Sequence, residues 1–248
     1  YTANVYPKNT VSHGPQKSAE VKNAADGVIT WTVEQTLPTF DNTNKLKEFR
    51  FDDDLSGAGD TSGTLASVNV TVNGVDTTAD FNKELIGTDL FITAKNPGDL
   101  PSGGKVVATY TTQGKSGSYE NKVETFINKV NVGFDIEKGY LGKITVQKVD
   151  SANTNLFLSG AVFKVCVDVD AVEETKDCPA VGTITTGPDG TGSLDKLKIQ
   201  NYVLFETAAP AGYTFDPDRA YKATLTNVAT EYVLTVENTK TNVPTLPL

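Results

Sequence analysis

The chain has 248 residues, 21% of them charged, with a formal net charge of −9. That length supports one large β domain or two of ordinary size, each with its own core. The acidic balance argues against a nucleic-acid partner, because phosphate binding needs a basic surface, and no apolar run reaches the length of a membrane span.

The opening "YTANVYPKNT" is extended, β-branched and aromatic, with Lys8 directly after Pro7. Taken alone, Lys8 reads as a solvated lysine at the start of a strand. His13, the single histidine, follows in a Ser/Gly/Pro-rich stretch. One histidine in that setting argues against His-rich metal sites and against a serine or cysteine hydrolase, which needs an imidazole base.

From there a period of two recurs along the chain, the signature of half-buried strands. In "GVITWTV", Ile29, Trp31 and Val33 share one face and Thr30 and Thr32 the other; in "SVNVTVNG", Val68, Val70 and Val72 oppose Asn69, Thr71 and Asn73. "LFITA", "KVVATYTT", "NKVETFINKVNV", "KITVQKVD", "AVFKVCVDV", "YVLFE", "YKATLTN" and "EYVLTVEN" continue the pattern, separated by turn clusters such as "NPGDLPSGG" and "GPDGTG". The expectation is an all-β chain of two tandem immunoglobulin-like β-sandwich domains, with helix confined to short connections. In "GFDIEKGYLGK" Gly139 and Gly142 interrupt the pattern and a new strand is expected at Lys143. This gives domains 1–139 and 140–248. The final "TKTNVPTLPL" has two prolines and no alternation, and reads as an extended tail.

Cys166 and Cys178 flank "VDVDAVEETKD". Their spacing suits a disulfide across a long hairpin and an oxidising compartment, with two free buried thiols as the alternative. Two thiols cannot close a structural zinc site. The acidic run "FDDDLSGAGD" does not fit EF-hand spacing and reads as a solvated loop. No metal and no cofactor are expected.

Several polar residues fall on apolar stripes, since side chains two apart share a face. Lys148 has the parity of Ile144 and Val146; Asn238 follows Tyr232, Leu234 and Val236; Glu206 follows Tyr202 and Leu204. In the first domain Asp53 extends Phe49 and Phe51, and Asn121 lies with Tyr119, Val123 and Ile127. Lys17 shares parity with Ala19 and Val21, whereas Lys22 falls with Ser18 and Glu20, so parity favours Lys17 over Lys22. Each could instead be a strand-end residue that reaches water. If they are buried, a specific chemistry follows. A desolvated lysine is a neutral nucleophile, and a desolvated carboxyl stays protonated and can shuttle protons. Aimed at an asparagine amide, the pair can form a Lys–Asn isopeptide bond once, releasing ammonia.

"KITVQKVD", "GAVFKV", "GPDGTGSLDKL", "YVLFETAAPAGYTF" and "YVLTVENTK" together resemble the collagen-adhesin B-type domain of Gram-positive surface proteins over residues 141–240. "YVLFETAAPAGY" resembles the E-box of sortase-assembled pilins. The resemblance implies a Lys148–Asn238 isopeptide bond promoted by Glu206. "VYPKN" resembles the pilin motif, which implies that Lys8 attacks the sortase-bound acyl group of the next subunit. The terminal "LPL", with Pro247 and Leu248, resembles the start of an LPxTG-type sorting signal. Residues 1–139 resemble, less closely, the middle domain of a major (backbone) pilin of SpaA type. There "FDDDL" implies Asp53 as the promoting acid, "YENKVET" implies Asn121, and Lys17 is the matching lysine. Such pilins usually carry a further domain before the pilin motif.

The function expected from this resemblance is a shaft subunit of a covalent pilus, extracellular and anchored to the Gram-positive cell wall. Its expected partners are identical subunits head to tail, a pilin-specific sortase, tip and base pilins and a host surface. The alternative is the stalk or ligand-binding module of a cell-wall adhesin, which would need no acceptor lysine at Lys8. A turnover enzyme is not expected, because each Lys–acid–Asn set is consumed by its own reaction.

Overall fold

The computed structural model describes residues 13–169 and 175–241, so Lys8, Pro247 and Leu248 lie outside the described residues. The chain divides into two compact units. The first takes in the chain up to Lys22, then Val28–Gly114 and Tyr119–Gly139; the second takes in Asn23–Gly27, Lys115–Ser118 and the chain from Tyr140 onward.

In the first unit the strands are β1 (Gln16–Glu20), β2 (Val28–Thr36), β3 (Phe49–Asp54), β4 (Asn69–Val72), β5 (Val75–Asp76), β6 (Phe81–Ile86), β7 (Asp89–Ala94), β8 (Lys105–Gln113) and β9 (Gly117–Ile127), followed by β10 (Val130–Asp150), which also serves the second unit. One sheet has the order β1-β2-β8-β4-β5, and the facing sheet runs β10-β9-β3-β7-β6. Period-two burial along β2 and β8 turns Ile29, Trp31, Val33, Val106, Ala108 and Tyr110 inward, where they meet Phe49, Phe51, Leu90, Ile92 and Val123 from the other sheet. The Trp31 indole N–H donates to Thr112 Oγ1 (2.9 Å), whose hydroxyl donates to the Ala58 carbonyl (2.6 Å). That relay satisfies the ring's polar edge inside the core. Helix is limited among the described residues to α1 (Thr64–Ser67) and two three-residue 3₁₀ turns.

The second unit adds β11 (Val162–Val167), β12 (Ala180–Thr185), β13 (Thr191–Leu197), β14 (Asn201–Ala208), β15 (Tyr213–Thr214), β16 (Ala220–Thr224) and β17 (Glu231–Lys240). β10 lies between β13, antiparallel, and β17, parallel, with β15 on the far side of β17. The facing sheet is β12-β11-β14-β16. Ile144, Val146, Phe163, Val165, Ile184, Leu204 and Val236 form the core between them. The Cys166–Cys178 disulfide is present, ties β11 to the segment before β12, and packs with Val203 and Phe205.

Two sequence expectations about strand limits are corrected. "NKVETFINKVNV" is not one strand: Asn128 and Lys129 both adopt positive φ (52° and 68°) and form a two-residue turn between β9 and β10. Asparagine tolerates that region, and Asn128 Oδ1 braces the turn by accepting the Lys47 backbone N–H at 2.7 Å. Nor does a strand begin at Lys143, since β10 runs unbroken from Val130 to Asp150. Its glycines mark close approach rather than chain breaks. A Cβ on Gly139 would come within 2.9 Å of Ile29, and one on Gly142 within 2.5 Å of Leu225.

Because the disulfide belongs to the second unit, replacing Cys166 and Cys178 by alanine should destabilise that unit by about 2–4 kcal/mol. Trp31, the only tryptophan, is buried in the first unit. Its fluorescence midpoint in urea should therefore stay unchanged, while hydrogen exchange in β11 and β14 accelerates. An equal loss in the Trp31 midpoint would contradict this.

Candidate functional site

Each unit buries a lysine, a carboxyl and an asparagine together. In the second, the parallel register pairs Lys148 with Val236 and Asp150 with Asn238. Lys148 and Asn238 therefore stand two positions apart on neighbouring strands and face the same way. Glu206 arrives from β14 in the facing sheet, where its register partner is Phe163. Lys148 Nζ donates to Asn238 Oδ1 at 2.6 Å and lies 3.2 Å from Glu206 Oε2, while Asn238 Nδ2 donates to Glu206 Oε1 at 2.7 Å. Glu206 thus touches both the lysine and asparagine nitrogens. The Lys148 and Glu206 side chains are 0% and 1% exposed, and Nζ sits 5.7 Å from the centre of the Phe163 ring.

The first unit divides the same groups differently. Lys17 on β1 and Tyr110 on β8 come from one sheet, and Asp53 on β3 and Asn121 on β9 from the other. Lys17 Nζ donates to Asp53 Oδ2 at 2.7 Å and to the Tyr110 hydroxyl at 2.5 Å. The Tyr110 hydroxyl donates to Asp53 Oδ2 and accepts from Asn121 Nδ2 at 3.1 Å. The Lys17 and Asp53 side chains are 0% and 1% exposed. Trp31 walls the cluster, 5.8 Å from Nζ to its ring centre. Asp53 Oδ1 and Asn121 Oδ1 are buried without a hydrogen-bond partner among the described residues.

Enclosure sets the charge states. Burial lowers the pKa of Lys17 and Lys148, with Asp53 and Glu206 respectively opposing the shift. Burial likewise raises the carboxyls of Asp53 and Glu206, and holds the Tyr110 phenol well above its ordinary value. A dry ion pair recovers its desolvation cost only with near-ideal geometry and every other polar atom satisfied. The unpartnered oxygens in the first unit fail that condition. Burial therefore shifts each pair towards a neutral amine beside a protonated acid, and with an amide in contact the cluster has the parts of a nucleophilic acyl exchange.

The structure brings together Lys17, Asp53 and Asn121 in one cluster and Lys148, Glu206 and Asn238 in the other. Lys22 is exposed and stands outside the first cluster. Tyr110 was not singled out by sequence reasoning. Its signal was present, because it shares parity with Val106 and Ala108 and so puts a hydroxyl on an apolar stripe. Around "FDDDLSGAGD", Asp54 and Asp60 accept the backbone N–H groups of Ser56 and Ser62, and the described residues hold no cluster of three or more metal-ligating side chains.

Residues 142–240 match the SpaA family, described as a prealbumin-like fold domain. The matched stretch begins within β10 and ends with β17. Over the whole chain the fold is similar to domains D2 and D3 of the major pilin SpaD from Corynebacterium diphtheriae, with TM-score 0.73 and 23% identity, covering 91% of this chain and 98% of that one. Against full-length SpaD the chain spans 66% of the pilin, with TM-score 0.73, 23% identity and 94% of this chain covered. The C. diphtheriae major pilin SpaA gives TM-score 0.68 at 15% identity, covering 92% of this chain and 69% of that one. Among curated relatives, the collagen adhesin of Staphylococcus aureus is 28% identical over 134 residues, which is 54% of this chain but 11% of the adhesin.

In the second unit the shifted lysine has a signed consequence. In Glu206→Gln the acid is gone and Lys148 stays desolvated and neutral in the fold. The unfolded chain then binds one more proton, so stability rises with pH towards the ordinary lysine value of 10.5. The slope should approach about 1.4 kcal/mol per pH unit, measured by hydrogen exchange in β14 and β17. A flat profile in this variant would mean that Lys148 is charged in the fold.

Proposed function

We propose that the chain is a structural shaft subunit of a covalent, sortase-polymerised pilus on the Gram-positive cell surface, reinforced by autocatalytic Lys17–Asn121 and Lys148–Asn238 isopeptide bonds. The observation that carries this reading is Lys148 Nζ at 2.6 Å from the Asn238 amide oxygen, with Glu206 in contact with both groups in a dry core. The fold shared with SpaD and SpaA supports it, and the SpaA structure is itself described as pointing to a modular pilus assembly with stabilizing isopeptide bonds.

The reaction balances without a cofactor. The neutral Lys148 amine attacks Asn238 Cγ, a C–N bond forms and the bond from Cγ to Nδ2 breaks. One amine proton passes by way of Glu206 to the leaving nitrogen, which departs as ammonia, and Glu206 ends protonated as it began. The product is one secondary amide. Since lysine and asparagine are consumed, the chemistry occurs once per cluster, and the protein is not a turnover enzyme but the substrate of a sortase.

β10 is the first strand of the matched stretch and β17 the last, so a bond between them makes the load path through it covalent. The linked residues are 90 apart. Closing that loop contributes roughly 4–5 kcal/mol on a chain-entropy scale, against roughly 0.5–1.5 kcal/mol for a single hydrogen bond. The larger effect is mechanical, because the enclosed chain cannot be extended by force. Lys8 would be the acceptor for the next subunit, with further identical subunits, tip and base pilins and a host surface as the wider partners. The likeness to a collagen adhesin favours a second reading, a stalk of a wall-anchored adhesin.

The test is the intact mass of non-reduced protein with tandem sequencing of crosslinked peptides. Expected is a deficit of two ammonias and two hydrogens, mapped to Lys17–Asn121, Lys148–Asn238 and Cys166–Cys178. Glu206→Ala should fold and lack only the Lys148–Asn238 link; full yield of that link would remove Glu206 from the mechanism. With a pilin-class sortase, Lys8→Arg should abolish polymer formation. Polymer from that variant would move the acceptor to another lysine, and no polymer from the unsubstituted chain would favour the adhesin reading.

A further inference from the structure

The two clusters contain different acids and differ in what joins lysine to asparagine. In the second unit Glu206 spans both nitrogens with its own two oxygens, at 3.2 and 2.7 Å. Asp53 has one methylene less; it accepts from Lys17 Nζ at 2.7 Å and also interacts with the Asn121 side chain. In the first unit the atom hydrogen-bonded to both nitrogens is the Tyr110 hydroxyl, at 2.5 Å from Lys17 Nζ and 3.1 Å from Asn121 Nδ2, with Asp53 Oδ2 as its acceptor. Tyr110 is 1% exposed, so no solvent proton path substitutes for it at that point.

Resting on the isopeptide reading above, we propose that Tyr110 is a catalytic residue of the first unit, the proton carrier between Lys17 and Asn121. Lys17 Nζ attacks Asn121 Cγ. As the new C–N bond forms, Asn121 Nδ2 loses its amide conjugation and becomes an acceptor; the phenol hydroxyl turns from Asp53 Oδ2 to Nδ2, takes one proton from Nζ and releases its own to Nδ2. The bond from Cγ to Nδ2 breaks, ammonia leaves and the phenol is restored, so no oxidant or reductant is needed. Asp53 Oδ2, which contacts both Lys17 Nζ and the Tyr110 hydroxyl, holds the phenol between the two nitrogens. The shorter acid and the tyrosine together reproduce what a single glutamate does in the other unit.

The experiment follows the mass and crosslinked peptides of newly synthesised full chain against time, in the unsubstituted protein and in Tyr110→Phe, with the Lys148–Asn238 link as the clock within each molecule. Tyr110→Phe should slow the Lys17–Asn121 link on the order of 10²-fold, the size of a lost general acid–base contact, and leave the other link on schedule. Adding Asp53→Glu to Tyr110→Phe should recover part of the rate by restoring the reach. A Tyr110→Phe chain that links Lys17 to Asn121 at the unsubstituted rate overturns the proposal. If Trp31 fluorescence shows that the phenylalanine variant does not fold, fluorotyrosine at position 110 keeps the shape and changes phenol acidity; an unchanged rate with it overturns the proposal equally. Absence of the Lys17–Asn121 link from the unsubstituted protein removes the isopeptide reading of this unit, and Tyr110's role with it. A normal link there combined with an unaffected Tyr110→Phe rate removes only the role of Tyr110.

Discussion

An amine and a carboxyl sealed between two apolar sheets cannot both keep their charges cheaply, and the rest of this molecule is arranged around that fact. Water removal pushes the lysine pKa down and the acid pKa up, which shifts the pair towards two neutral groups. Neutrality turns a lysine from an anchor into a nucleophile and a glutamate from a counter-ion into an acid. Both effects need the β-sandwich to be complete, since either sheet alone would leave the pair in water.

The two units meet this constraint with different divisions of labour. The second unit takes lysine and asparagine from adjacent parallel strands of one sheet and the acid from the other. In the first unit, lysine and tyrosine lie on one sheet and acid and asparagine on the other. A bond in the second unit would fasten two neighbouring strands; in the first it would pin one sheet to its partner. The aromatic surroundings, Phe163 in one and Trp31 with Tyr110 in the other, keep both clusters dry.

Period-two alternation carries most of what could be read ahead of the structure. It assigns Lys148, Glu206, Asn238, Asp53, Asn121 and Lys17 to the inward faces of their strands, and each of these residues is buried. Alternation says nothing about where a strand stops. Asn128 and Lys129 keep the strand composition yet turn the chain, because the turn is written in backbone φ. The glycines of β10 suggested a break and are instead points where Ile29 and Leu225 approach the backbone. Tyr110 was hidden for a different reason. Tyrosine on an apolar stripe is ordinary core material, and only the neighbours of its hydroxyl distinguish this one.

By itself the sequence determined the all-β class and the face each polar residue occupies, since both follow from side-chain period along a single strand. It also held, in the spacing of Cys166 and Cys178, the possibility of the disulfide that the structure contains. Which lysine meets which acid was decided only by tertiary structure. Those contacts join residues as far apart as Lys148 and Asn238 and depend on strand order, parallel register and the facing of two sheets. The reach of a carboxyl across a core, and the hydroxyl that stands between Lys17 Nζ and Asn121 Nδ2, are properties of distances in space. A pattern along the chain does not contain them.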